Sequence, residues 1–147
     1  MRWGDFANAA PELAAFGAGL FAGAPSYLAT VGADGGPRVH PVTPVIGTDD
    51  LFVFMEPTSP KGRDLVERRR YALHNGVPDS AGTGGELLIT GTGQRVDDPM
   101  VRAGAVDAAA YAPADRYILF RLDVRTARAG GHGDVELPDP KRWTDPA

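Results

Sequence analysis

Apolar residues recur along the chain with two periods. After Pro11-Glu12, a proline and an acid that suit the first turn of a helix and its dipole, Leu13, Phe16 and Leu20 fall at helical spacing. The pattern predicts an N-terminal helix within residues 1–25, closed by Gly23-Ala24-Pro25. Residues 27–31 are β-prone, Asp34-Gly35-Gly36 makes a turn, and residues 37–46 read as the second arm of a hairpin. Leu51-Phe52-Val53-Phe54-Met55 is apolar at every position, as in a strand buried on both faces.

Ser59 followed by Pro60 fits an N-cap and first helical position, and predicts a short helix to about residue 69. Extended structure resumes at Tyr71-Ala72-Leu73-His74. Residues 75–85 read as a Gly-rich loop and residues 86–96 as one strand bent at its glycines. Asp98-Pro99 repeats the cap-and-proline signal and opens an Ala-rich helix that stops before Pro113. Residues 117–124 alternate, with Ile118, Phe120, Leu122 and Val124 on one face and Arg121 and Asp123 on the other. From 129 to 147 no period is visible, which predicts an irregular tail with Trp143 as its one large apolar anchor. Six strands joined by short turns, with about three helices, favour a mainly β fold, a small closed or partly closed barrel.

A chain of 147 residues suits a single domain whose core stands without staples. Fifteen basic against nineteen acidic side chains give a formal charge of −4, so no global field favours nucleic acid or an anionic membrane. Any anion site must be built locally. The absence of cysteine excludes disulfides, thiolate metal sites and thiol nucleophiles. The apolar stretch 13–21 is too short and too Gly-interrupted for a membrane span or signal peptide, and a cytoplasmic protein is the expectation. His40, His74 and His132 lack spaced carboxylate partners, which speaks against a metal site, and no G-x-S-x-G elbow supports serine hydrolysis.

Two stretches carry candidate chemistry. A phosphate at the start of the Ser59 helix would meet free backbone N–H groups, the positive end of the dipole and the Lys61 ammonium together. An ordinary solvated helix face accounts for Lys61, Arg63 and the run Arg68, Arg69 and Arg70 as well. In the second stretch, Pro41 and Pro44 interrupt ladder pairing, so the strand belongs at an edge or bulge and leaves main-chain groups in need of partners. A heterocycle with donors and acceptors along one edge, such as a flavin pyrimidine ring, supplies such partners; an edge guarded by proline against aggregation needs none. Alternation puts Arg38, His40 and Val42 on one face.

The order of these motifs resembles the pyridoxamine 5'-phosphate oxidase-like flavin-binding split barrel. The similarity runs over residues 28–124: Leu28-Ala29-Thr30-Val31 with Asp34-Gly35, then Pro37-Arg38-Val39-His40-Pro41-Val42, Ser59-Pro60-Lys61 with Asp64-Leu65, Ala72-Leu73-His74, and Thr90-Gly91 with Val96-Asp97-Asp98-Pro99. The resemblance implies a six-stranded antiparallel split β-barrel of Greek-key type and FMN as cofactor. It implies that Arg38, Val39, His40, Pro41, Val42 and Thr43 lie along the ring and ribityl chain, with Phe54 and Met55 beneath and Ser59 and Lys61 on the phosphate. It also implies a homodimer with cofactor sites at the interface. Pro60 stands where true pyridoxamine phosphate oxidases have an arginine, and the tail keeps little of their arginine-rich substrate segment, so vitamin B6 oxidation is not expected.

Three functions follow: an FMN-dependent oxidoreductase of small molecules that requires no protein acid or base, with Trp143 beside the substrate; a reductase using a deazaflavin coenzyme; and a non-catalytic carrier of flavin or haem. In the first, the cofactor carries the redox step while the barrel supplies position and electrostatics.

Overall fold

The computed structural model describes residues 1–22 and 24–147, so the expected helix end at Gly23 lies outside the described residues. In chain order the elements are α1 (Trp3–Ala9), α2 (Pro11–Phe21), β1 (Ser26–Val31), β2 (Pro37–Val42), β3 (Val45–Ile46), β4 (Leu51–Met55), α3 (Pro60–Arg68), β5 (Arg70–His74), β6 (Glu86–Val96), α4 (Pro99–Ala108), β7 (Ile118–Gly130) and β8 (Arg142–Thr144). The strands pair antiparallel in the order β2-β1-β5-β6-β7-β4-β3, with β8 added to β7.

The two ends of this sheet, β2 and β3, are consecutive in the chain and separated only by Thr43 and Pro44. If the sheet were flat its edges would stand roughly 29 Å apart at about 4.8 Å per strand spacing. Two residues cannot bridge that, so the sheet curls until its edges meet. The result is a barrel split at one seam, and the prolines occupy that seam because an edge strand alone tolerates a missing donor. β2 is an edge strand, as its Pro41 requires.

Inside the curl, α1 and α2 plug one end: Trp3, Phe6, Leu13 and Phe21 pack with Leu28, Leu73, Leu87, Ile89, Phe120 and Leu122. Fully buried side chains of this size contribute about 1.5–3 kcal/mol each. β4 is buried along its whole length because it serves two cores. Leu51, Val53 and Met55 join the inner cluster, while Phe52 and Phe54 join Val45, Ala105 and Leu119 beneath α4.

Among the described residues the expected six strands become eight and the three helices four. Helix α1 has neither a side-chain cap nor enough length to show a period; the Arg2–Asp50 ion pair at 2.6 Å and the Trp3–Phe6 edge contact hold it instead. β3 is two residues cut off by Pro44. The tail, expected to be irregular from 129, begins within β7, which runs to Gly130, and contains β8. Small residues, Ala127 and Ala129, form the buried face there and mask the alternation.

β6 bends where its register slips between Thr90 and Gly91. A Cβ on Gly91 would lie 1.8 Å from the Asp123 carbonyl oxygen, so the two strands close only over a glycine. Gly91→Ala is expected to cost about 3 kcal/mol or more in urea unfolding. Gly104→Ala, on α4 with nothing within 4 Å, should instead gain about 0.5–1 kcal/mol.

Candidate functional site

The seam places the chemistry of β2, β4 and α3 together. Along β2 the outward residues Pro37, Val39 and Pro41 are exposed, while Arg38 and His40 are half-buried and Val42 is buried. The shared face expected for Arg38, His40 and Val42 is thus the inner one. Thr43 continues past Val42 into the seam.

Pro60 opens α3 at its first position, where its fixed φ suits the helix and its missing N–H costs nothing. Ser59 has the extended backbone of an N-cap, but its side chain makes no capping bond. Its Oγ is buried without a hydrogen-bond partner, and the residue is 8% exposed. A buried hydroxyl left without a partner costs on the order of 1–3 kcal/mol, which a hydrogen-bonding group at the start of α3 would recover. The amides of Lys61 and Gly62 also lack intrahelical acceptors. Lys61 is half-buried, among the described residues it has no carboxylate within salt-bridge distance, and burial pushes its pKa down.

Lys61 lines a cleft of about 280 Å³ together with Pro41, Val42, Thr43, Phe54 and Met55. Six of the ten residues expected to hold a cofactor therefore share one cavity. Three further lining residues were not expected at a site: Glu56, just past β4, and Tyr111 and Tyr117, which the sequence pattern put in the Ala-rich helix and the alternating strand but which lie in the linker between the end of α4 at Ala108 and the start of β7 at Ile118. Arg116 binds the Glu56 carboxylate through Nε at 3.0 and 3.1 Å and stacks over Tyr117 at 5.1 Å. That bond holds Glu56 below the usual carboxylate range and straps the linker to the end of β4. Phe54 offers less than expected, since its ring packs under α4 with the Arg102 guanidinium 5.3 Å away.

His40 adds a second orphan. Its Nε2 is buried without a partner. Burial lowers the imidazole pKa, the Lys61 and Arg38 charges lower it further, and Asp64 opposes them. The ring is thus held neutral, close enough to Lys61 to feel its field.

Arg38 is engaged elsewhere. Its Nε donates to Asp64 at 2.9 Å, and its Nη2 lies over Gly32 at the hairpin. Asp64 is buried on α3 and accepts also from Thr30 Oγ1 at 2.7 Å and Arg68 Nη2 at 3.4 Å. Arg68 in turn donates from Nε to the Val31 carbonyl at 2.7 Å. One carboxylate thereby ties α3 to β1 and β2 and fixes the distance between the His40 strand and the Lys61 helix. Val39 faces outward and is 61% exposed. The run Arg68, Arg69 and Arg70 begins at the far end of α3, about 14 Å from Ser59 by helical rise.

Trp143 is not beside this cleft. It packs on Phe6 with centroids 5.0 Å apart and pairs with Ala127, whereas Phe54 pairs with Leu119 of the same strand, about 26 Å away along β7.

No protein-family model matches the chain, and no curated protein matches it in sequence. Solved structures share the fold. A heme binding protein from Mycobacterium smegmatis superposes with a TM-score of 0.64 at 19% identity, over 82% of this chain and 52% of that one, so this chain spans about half its length. A NimC/NimA family protein from Clostridium acetobutylicum gives 0.61 at 18% identity, over 76% and 82%. PhzG from Burkholderia lata, solved in complex with tetrahydrophenazine-1-carboxylic acid, gives 0.54 at 16%, over 82% and 80%. Among the described residues no helix is long and apolar enough to cross a membrane.

Burial pushes the Asp64 carboxyl up, but the bonds from Thr30, Arg38 and Arg68 outweigh it and hold its pKa below the ordinary value. Ionised Asp64 therefore contributes stability that is complete above the unfolded carboxyl pKa near about 4 and is lost as pH falls through the lower folded value. Asp64→Asn should cost about 3 kcal/mol at neutral pH and flatten the acid limb of the stability curve, read from urea midpoints between neutral and acid pH. An acid limb as steep as the parent's would show that other carboxylates carry it.

Proposed function

We propose that this chain is an FMN-binding oxidoreductase of small molecules, built on the pyridoxamine 5'-phosphate oxidase-like split barrel and not itself a pyridoxamine phosphate oxidase. The observation that carries the reading is the orphaned Ser59 hydroxyl at the mouth of α3, two residues from an unpaired, half-buried Lys61. A phosphate there meets a hydroxyl, two free amides, a helix dipole and an ammonium, each hydrogen bond to charge contributing about 1.5–3 kcal/mol. Thr43, Met55 and the backbone beside Pro41 flank the adjoining cleft and would position a flat ring along the seam.

FMN, when bound, supplies the redox chemistry; the chain's own groups bind, orient and exclude water. Lys61 offsets the phosphate charge, Asp64 holds β2 at its distance from α3, and Tyr117, pinned through Arg116 and Glu56, borders the cleft on its far side. FMN fits better than a deazaflavin coenzyme with a longer acidic tail. The extra cations such a tail would want are at the wrong end of α3, and Arg68 is already committed to Asp64, Glu67 and Val31.

A second reading rests on His40. A neutral imidazole with a buried, unpartnered Nε2 suits an iron ligand, and one structural neighbour is a heme binding protein. A haem carrier would lose its Soret band on His40→Ala, whereas a flavoprotein would keep its yellow spectrum.

Lys61→Ala should weaken FMN binding at least tenfold by fluorescence quenching, with an unchanged melting midpoint. Ser59→Asp, which makes an equally good N-cap, should do the same through like-charge repulsion. Unaltered affinity in both would remove the phosphate site. A second copy is proposed to seat on the outer sheet face, where Tyr27, Val39 and Leu88 are exposed in rows of paired strands. Val39→Glu should then sediment as a monomer; a parent protein that is itself monomeric would exclude the dimer.

A further inference from the structure

Beside the row that holds Val39, Ala29, Ala72 and Thr90, the outer sheet face turns basic. A concavity of about 760 Å³ opens there over a floor of small side chains, Ala29, Ala72 and Thr90, with Thr92, Arg70 and Arg125 around it. No lining residue is acidic. Among the described residues neither Arg70 nor Arg125 has a carboxylate within salt-bridge distance, in a chain whose formal charge is −4. The nearby acid on β7, Asp123, is turned to Arg121 at 3.4 Å.

Local structure aims one of these arginines deliberately. Thr90 opposes Thr126 and Gly91 opposes Val124, so Arg125 has no opposite number and is the extra residue of a bulge. In an uninterrupted strand Arg125 and Thr126 would point to opposite faces. Here Val124 and Ala127 are both buried and the two residues between them both turn outward, as a bulge permits. Thr126 Oγ1 meets Thr90 Oγ1 at 2.6 Å, leaving a hydroxyl pair on the floor. Arg70 enters from the other side, as the first residue of β5 after the left-handed Arg69.

We propose that this concavity is a binding site for a small-molecule oxyanion, a phosphate or carboxylate gripped between Arg70 and Arg125 above the Thr90–Thr126 hydroxyls. Planar guanidinium forks match such groups bidentately, and both arginines line one concavity outside any ion pair among the described residues; Asp145, whose carboxyl feels the Arg125 charge, is itself bound to the Met1 ammonium at 3.3 Å. The site is separate from Ser59 and Lys61 and does not depend on the flavin reading.

The test is a titration of the full chain with inorganic phosphate, and with succinate as the carboxylate arm, followed by backbone amide shifts. Saturable shifts at Arg70, Thr90 and Thr92 are expected with either probe, weakened at least tenfold in Arg125→Ser and in Arg70→Ser and retained in Lys61→Ala. Melting midpoints of the exposed-arginine variants serve as the folding control. Shifts confined to Ser59 and Lys61, shifts that survive both arginine substitutions, or no saturable shift would each overturn the site. So would loss of dimer in Arg125→Ser without any response to either probe, since the arginines would then meet a second copy.

Discussion

The two-residue link between β2 and β3 is the constraint from which the rest of the architecture follows. Because Thr43 and Pro44 join the two ends of one sheet, the sheet has no choice but to curl, and a curled sheet of this width encloses a core that α1 and α2 must plug. The seam itself cannot be zipped by a ladder, because proline lacks the donor and the link is too short to form a strand of its own. What would be an edge-strand liability in an open sheet is thereby turned inward and placed beside the N-terminus of α3.

A seam of that kind collects unsatisfied groups. Ser59 Oγ and His40 Nε2 are buried without partners, and Lys61 is partly desolvated without a counter-ion. Each of these costs stability in the free protein, and Asp64 supplies a compensating bond network immediately behind them. The division is sharp: Arg38 and Arg68 are spent on structure, whereas Lys61, two turns before Arg68 on the same helix, has no ion-pair partner among the described residues. Arg38 therefore supports the proposed site through Asp64 more directly than through contact.

Much of this was legible from residue pattern. Pro41 placed β2 at an edge, the all-apolar Leu51-Phe52-Val53-Phe54-Met55 run required a strand between two cores, and Ser59-Pro60 and Asp98-Pro99 marked the starts of α3 and α4. Asp98 caps α4 through the Met100 amide, while Ser59 leaves its cap bond unmade, a difference that the shared motif does not reveal. Illegible were the elements held by distant partners: α1 by Arg2 and Asp50, β8 by pairing with β7, and the β7 extension, whose buried face is made of alanines too small to register as a hydrophobic period.

The sequence by itself determined the local currency of this protein: which segments extend, where helices begin, which strand must lie at an edge, and that any anion site must be local in an acidic chain. Only the tertiary structure decided which polar groups are spoken for. Arg38 and Lys61 are both cations near a proline strand in the sequence, but one faces Asp64 and the other a cleft; Trp143 is a lone aromatic in the tail until Phe6 claims it. The bulge that turns Arg125 outward exists because Gly91 meets the Asp123 carbonyl across β6 and β7. Pairings of that range depend on how the whole sheet closes, and periodicity along one strand carries no information about its partner.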